Sequence, residues 1–152
     1  MGTTQDDVRV AGFNAYVGLL VSLRPETLPE LRRVTSHDVR FKDPFHDVQG
    51  RGAMLAVLER AFKDVENVEF VVTHQCLPPG EAIGFLKWRM TGHLRRLGGR
   101  PWSVEGMTEV RLDHQGLVTA HYDYWDAASG LYEAFPVIGP VLRFFRRRIA
   151  TF

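Results

Sequence analysis

The hydrophobic period of this chain changes near its middle, and that change sets the order of its layers. In the first 65 residues, apolar side chains recur every three or four positions; from Val68 to residue 126 they recur every second position, and the tail PVLRFFRRRIATF returns to helical character. Phe13, Tyr16, Val17 and Leu20 share one face of a first helix, which Asp6 and Asp7 start and Pro25 ends. Leu28 to Val34 reads as a short second helix and Thr35–Ser36 as a loop. Val39 to Lys42 is a short extended segment that runs into Asp43-Pro44. After Gly50 and Gly52, residues 53–65 form a third helix with Leu55, Leu58, Ala61, Phe62 and Val65 on one side.

The second half is a series of strands. Val68, Phe70 and Val72 alternate with Glu69 and Thr73 until Pro78-Pro79-Gly80. Residues 82–97, 102–112 and 117–126 follow, separated by Gly98-Gly99 and the DHQG turn, as consecutive antiparallel strands. The predicted fold class is α+β. Three N-terminal helices cover a cone-shaped, strongly curved, mostly antiparallel sheet, and an extra short C-terminal helix follows. Such a sheet encloses a pocket for a small molecule.

Composition narrows the partners. Nineteen basic and eighteen acidic residues nearly cancel, so no overall field draws nucleic acid or a membrane surface. One cysteine, Cys76, excludes an intrachain disulfide and fits a reducing compartment. No secretory leader is read at the start, and no apolar run nears the ~18 residues a bilayer span needs, so a cytoplasmic protein is expected. His46–Asp47 and His37–Asp38 lack zinc spacing, GRG at 50–52 lacks the length and lysine of a phosphate loop, and no serine sits in a G-x-S-x-G elbow. Neither a metal nor a cofactor is expected.

Alternation separates the strand faces. Trp102, Val104, Thr108, Val110 and Leu112 form a mostly apolar set that should point inward, opposite Ser103, Glu105, Glu109 and Arg111. The last strand is ambiguous. Leu117, Thr119, His121, Asp123 and Trp125 share one face, and Val118, Ala120, Tyr122, Tyr124 and Asp126 the other.

The phrases NAYVGLL, FKDPFHDVQGRGAM, EVRLDHQGLV and HYDYW, in this order, resemble the nuclear transport factor 2-like superfamily, nearest its SnoaL-like and ketosteroid isomerase branches. The resemblance covers about residues 6–127 and leaves 128–152 as a loop and basic amphipathic helix of the same domain. It implies Asp43 as the proton-shuttling base, Tyr16 as oxyanion donor and Trp125 as a pocket wall. It also turns the His121–Asp123 face toward the cone. One position departs from the isomerase pattern. Thr108 stands where that enzyme keeps a protonated aspartate, and losing one such donor is worth a factor of roughly 10²–10³.

The residues allow the chemistry that the resemblance implies. A carboxylate in an apolar pocket suits general-base work near neutral pH, and His121 two residues from Asp123 forms an imidazole–carboxylate pair on one strand face. The expected catalytic set is Asp43, Tyr16, His121 and Asp123, with Trp125, Thr108, Phe45, Val104 and Phe13 contacting ligand. The expected function is cofactor-free isomerase- or cyclase-like acid–base chemistry on a hydrophobic, steroid- or polyketide-like carbonyl compound. The alternatives are a non-catalytic binder of hydrophobic ligands and a dimerisation module. A homodimer is expected. In the tail RFFRRRIATF, the aromatics are expected to pack on the domain while the arginines face water; contact with an anionic membrane, or a lid over the pocket, are the other readings.

Overall fold

The computed structural model describes residues 4–150. Residues 151 and 152, the end of the expected tail helix, lie outside it. The first helix, α1, spans Gln5–Val21 and opens with a capping box. The Thr4 hydroxyl accepts the Asp7 N–H at 3.2 Å, and the Asp7 carboxylate accepts the Thr4 N–H at 2.9 Å. Its buried residues are Phe13, Tyr16, Val17 and Leu20, the face that the spacing predicts. The helix passes at close range over the turn at residues 113–117. A Cβ on Gly12 would stand 2.0 Å from the Gly116 carbonyl oxygen, so only glycine allows this approach.

The second helical segment is a single 3-10 stretch, Leu28–Arg33. The expected loop at Thr35–Ser36 is instead the start of a longer strand, β1 (Thr35–Lys42). Its Thr35 pairs with Val118, more than eighty positions away, and no local pattern reports such a partner. A three-residue strand, β2 (Asp47–Gln49), folds back on β1, with Arg40 and Asp47 joined by two 2.9 Å hydrogen bonds across the pair. Helix α2 runs Arg51–Asp64, earlier than expected, and Val65 already belongs to β3 (Val65–Cys76). Only Met54 of α2 is fully buried. Leu55, Leu58 and Phe62 are half-buried, because this helix faces an open cavity rather than a filled core.

Strands β4 (Ile83–Leu94), β5 (Arg100–Leu112) and β6 (Val118–Trp125) complete a six-stranded sheet in the order β2-β1-β6-β5-β4-β3. Only the β1–β6 pair is parallel. Val104, Thr108, Val110 and Leu112 are buried and Trp102 is half-buried, so the inward face of β5 is the one expected. β6 needs a correction. Leu112 pairs with Val118 but Arg111 pairs with Ala120, so one extra residue bulges out of β6. Past that bulge His121, Asp123 and Trp125 oppose the inward residues Val110, Thr108 and Gly106. Before it, Val118 is the core residue in place of the expected Leu117 and Thr119.

The chain then forms a short helix, α3 (Ala127–Gly130), a turn at Tyr132–Ala134, and α4 (Ile138–Ile149). The Trp102 indole N–H donates to the Gly130 carbonyl and Arg100 donates to the Ala134 carbonyl at 3.0 Å, joining this segment to the sheet. The expected packing of the tail aromatics on the domain is not found. Phe144 and Phe145 are 60% and 56% exposed, because α4 meets the domain through its other side.

Candidate functional site

The concave face of the sheet and α2 enclose a cavity of about 690 Å³. Strand residues Phe70, Trp88 and Met90 and helix residues Val57, Leu58 and Phe62 make its wall largely apolar. Arg24, Arg60 and Arg96 are exposed lining residues and mark the mouth. Asp64 also lines the cavity, paired with Arg96 at 3.1 Å, and so do Asp43, His46, His121 and Asp123. The last four form two carboxylate–imidazole pairs.

The first pair is held by a chain of buried bonds. His121 Nε2 lies 2.9 Å from Asp123 Oδ1, and His121 Nδ1 lies 2.8 Å from the Tyr16 hydroxyl. The Thr108 hydroxyl donates to the same Asp123 oxygen, and the Trp88 indole N–H donates to Thr108 at 2.8 Å. Every member has one consistent role. A carboxylate can only accept, so Nε2 carries the imidazole hydrogen and Nδ1 accepts from Tyr16. Burial first, and then the negative charge of Asp123, push the Tyr16 hydroxyl well above its ordinary range, so it keeps the proton it donates. Phe41 stacks on His121 with ring centres 4.9 Å apart and fixes the imidazole plane. Both bonds to Asp123 end on Oδ1; Oδ2 takes neither.

The second pair grows out of the Asp43-Pro44 turn. Asp43 Oδ1 accepts the Phe45 and His46 N–H groups at 2.8 and 2.7 Å. His46 Nδ1 sits 3.0 and 3.1 Å from the two carboxylate oxygens. Asp43 therefore initiates the turn and holds a histidine at once. The Asp43 side chain is 15% exposed, and the remaining nitrogen of His46, Nε2, is not used in this pair. Among the described residues, no three His, Cys, Asp or Glu side chains converge as a metal centre would require.

Residues 21–121 match the family described as the SnoaL-like domain, about two thirds of the chain. The chain belongs to the SnoaL-like family. No curated protein matches the sequence. Among solved structures, it is similar to a protein from Jannaschia sp. CCS1 assigned as a SnoaL-like polyketide cyclase. That likeness has a TM-score of 0.73 at 15% identity and covers 91% of this chain and 98% of the other. AclR from Streptomyces galilaeus, assigned as a hydroxylase, gives 0.66 at 18% identity over 94% and 92%. A ketosteroid isomerase-like protein from Catenulispora acidiphila, solved with trimethylamine, gives 0.65 at 19% identity over 79% and 88%. At these identities the likeness establishes the nuclear transport factor 2-like fold.

On this SnoaL-like frame the expected site residues divide into two groups. Asp43, Phe45, His121, Asp123 and Trp125 line the cavity. Tyr16, Thr108, Val104 and Phe13 do not. Tyr16 is fully buried behind His121, and Thr108 is 1% exposed between Trp88 and Asp123. Val104 packs beside Gly130, and the Phe13 ring lies against Gly84, where a Cβ would come within 2.5 Å of it. Two residues outside the expected set matter. His46 is three positions after Asp43, a spacing that an Asp-Pro turn folds into contact. Trp88 carried no local signal, since its partner Thr108 lies on another strand.

Proposed function

We propose that this SnoaL-like protein moves a proton at the carbon next to the carbonyl of an apolar ketone, in an isomerase- or cyclase-like reaction. The supporting observation is the presence of two carboxylate–imidazole pairs on the wall of one largely apolar cavity. In this reading Asp123 is the base. Oδ2 takes the proton as the C–H bond breaks, the electron pair moves onto the carbonyl oxygen as an enolate, and Asp123 returns the proton to the same carbon or a conjugated one. His121 and Thr108 hold Asp123 from behind, and Tyr16 acts as a positioning residue through His121. His46, oriented by Asp43, donates from Nε2 to the enolate oxygen when its ring is protonated.

This assignment moves the base from Asp43, the expected position, to Asp123. Asp43 already accepts from two backbone N–H groups and one imidazole, whereas Asp123 keeps one oxygen clear of its two partners. Phe45 and Trp125, with ring centres 5.5 Å apart, provide the apolar contact for the substrate. We also infer a homodimer in the cytoplasm, formed through the outer sheet face, where Phe85, Met107 and Tyr124 are 41–60% exposed.

The test is deuterium exchange at the α-carbon of apolar ketones, with binding followed by quenching of tryptophan fluorescence. Exchange should fall by about 10²-fold or more in Asp123→Asn. Exchange that survives that substitution removes Asp123 as the base. Ketones that quench without exchanging leave a binding protein in place of an enzyme.

A further inference from the structure

Helix α4 carries its apolar stripe on the side that faces away from the domain. At 3.6 residues per turn, Ile138, Val141, Phe145 and Ile149 fall on one stripe, with Arg146 and Arg148 on its two sides. These four apolar residues are 49–70% exposed, and Val137, just before the helix, is 81% exposed. The opposite side docks on the preceding turn. Arg143 donates to the Glu133 carbonyl at 2.9 Å, and Arg146 lies 3.0 Å from the Glu133 carboxylate. A Cβ on Gly139 would come within 2.3 Å of the Glu133 carbonyl oxygen. Two arginine contacts and a glycine thus hold the helix with its greasy side outward.

The chemistry of the segment selects what covers that side. From residue 127 to 149 there are four arginines and one acidic residue, Glu133. Arg100, hydrogen-bonded to the Ala134 carbonyl, adds a further cation beside the same turn. A second copy of this stripe would bring arginines against arginines. A surface that is anionic and apolar at once matches both halves of the pattern.

We propose that α4 lies in the headgroup region of an anionic phospholipid bilayer, holding the SnoaL-like domain at the membrane surface. No helix among the described residues is long and apolar enough to cross a bilayer, so this is attachment in the plane of the surface. A single amphipathic helix of this size binds reversibly and depends on the lipid charge. The proposal stands whether or not the cavity is catalytic, although Leu131 and Phe135 of the same segment line it.

The experiment is flotation of the full chain with vesicles of phosphatidylcholine alone or with one third phosphatidylserine. Binding to the anionic vesicles at least tenfold stronger than to the neutral ones is expected, and it should weaken as salt is added. Phe145→Glu should reduce binding at least tenfold. That side chain is exposed, so the variant should keep the urea midpoint and the ketone quenching of the parent. Absence of flotation, or equal flotation with both vesicles, overturns the proposal. A wild-type dimer that Phe145→Glu converts to monomer also overturns it, by showing that a second copy covers the stripe.

Discussion

Tyr16→Phe tests the buried chain at its least exposed member. The substitution removes one hydroxyl and leaves the ring, so no packing is lost around a side chain that is fully buried. What disappears is the 2.8 Å donor to His121 Nδ1. The imidazole cannot turn its hydrogen toward the gap, because Nε2 must still donate to Asp123. A buried acceptor is left unsatisfied, at a cost of about 1–3 kcal/mol. For a domain of this size that corresponds to a drop in melting temperature of roughly 3–9 °C. A second signature lies in alkali. Folding raises the Tyr16 value, so the native state keeps its proton where the unfolded chain has begun to lose it. That contribution is complete below pH ~10 and is lost as pH climbs toward the folded value. Phenylalanine has no such proton, so the penalty seen at neutral pH shrinks above pH ~10. Urea unfolding of both proteins, followed by tryptophan fluorescence across this range, reads the difference directly, and other ionisations common to both cancel. A penalty below ~0.5 kcal/mol at neutral pH, or one that stays constant into alkali, would refute the hydrogen-bond polarity derived for the chain.

Thr108→Val strands the Trp88 indole N–H and removes a donor from Asp123, so urea unfolding should show a loss of about 1–3 kcal/mol that Thr108→Ser largely restores; equal stability of the valine and wild-type proteins counts against the chain. Gly106→Ala would place a Cβ 2.5 Å from the Trp88 ring and 3.0 Å from the Trp125 Cβ, so calorimetry should show about 1–3 kcal/mol of strain, and an unchanged melting point would mean that the Trp88 ring is not packed against Gly106. Asp126→Ala removes the cap of α3, where Asp126 accepts the Ala128 and Ser129 N–H groups, at about 0.5–2 kcal/mol. Bonds from the Ser129 hydroxyl and then its N–H lower the Asp126 value, so this contribution is present above the ordinary carboxylate range and is lost as pH falls through the folded value. The gap between the two proteins should therefore close in acid, and a gap that widens there would reverse the assignment.

The parts of the fold legible in the sequence are those written in local period. Phe13, Tyr16, Val17 and Leu20 are all buried, and Val104, Thr108, Val110 and Leu112 face inward, because a regular helix or strand obeys its own repeat. The parts missed depend on partners far along the chain. β1 starts at Thr35 because β6 is beside it, and β2 has only three residues, too few to show alternation. The tail helix defeated its own pattern. Amphipathicity says that an apolar face exists, but not whether the domain has a surface left for it, and here Glu133 engages the arginines instead.

The site was half legible for the same reason. The family pattern marks Thr108 as the place where a buried acid is missing, which argues against strong stabilisation of an enolate. The register of β5 and β6 puts Asp123 directly opposite Thr108, and the Thr108 hydroxyl bonds to it. A carboxylate is thus present at that depth in the cone, carried by the neighbouring strand. The bulge that separates Val118 from His121 is what lets a core residue and this polar pair point the same way. Strict alternation would have placed either Val118 or Asp123 on the outer face. One residue of slack in β6 therefore reconciles a filled apolar base of the cone with an ionisable pair on its wall.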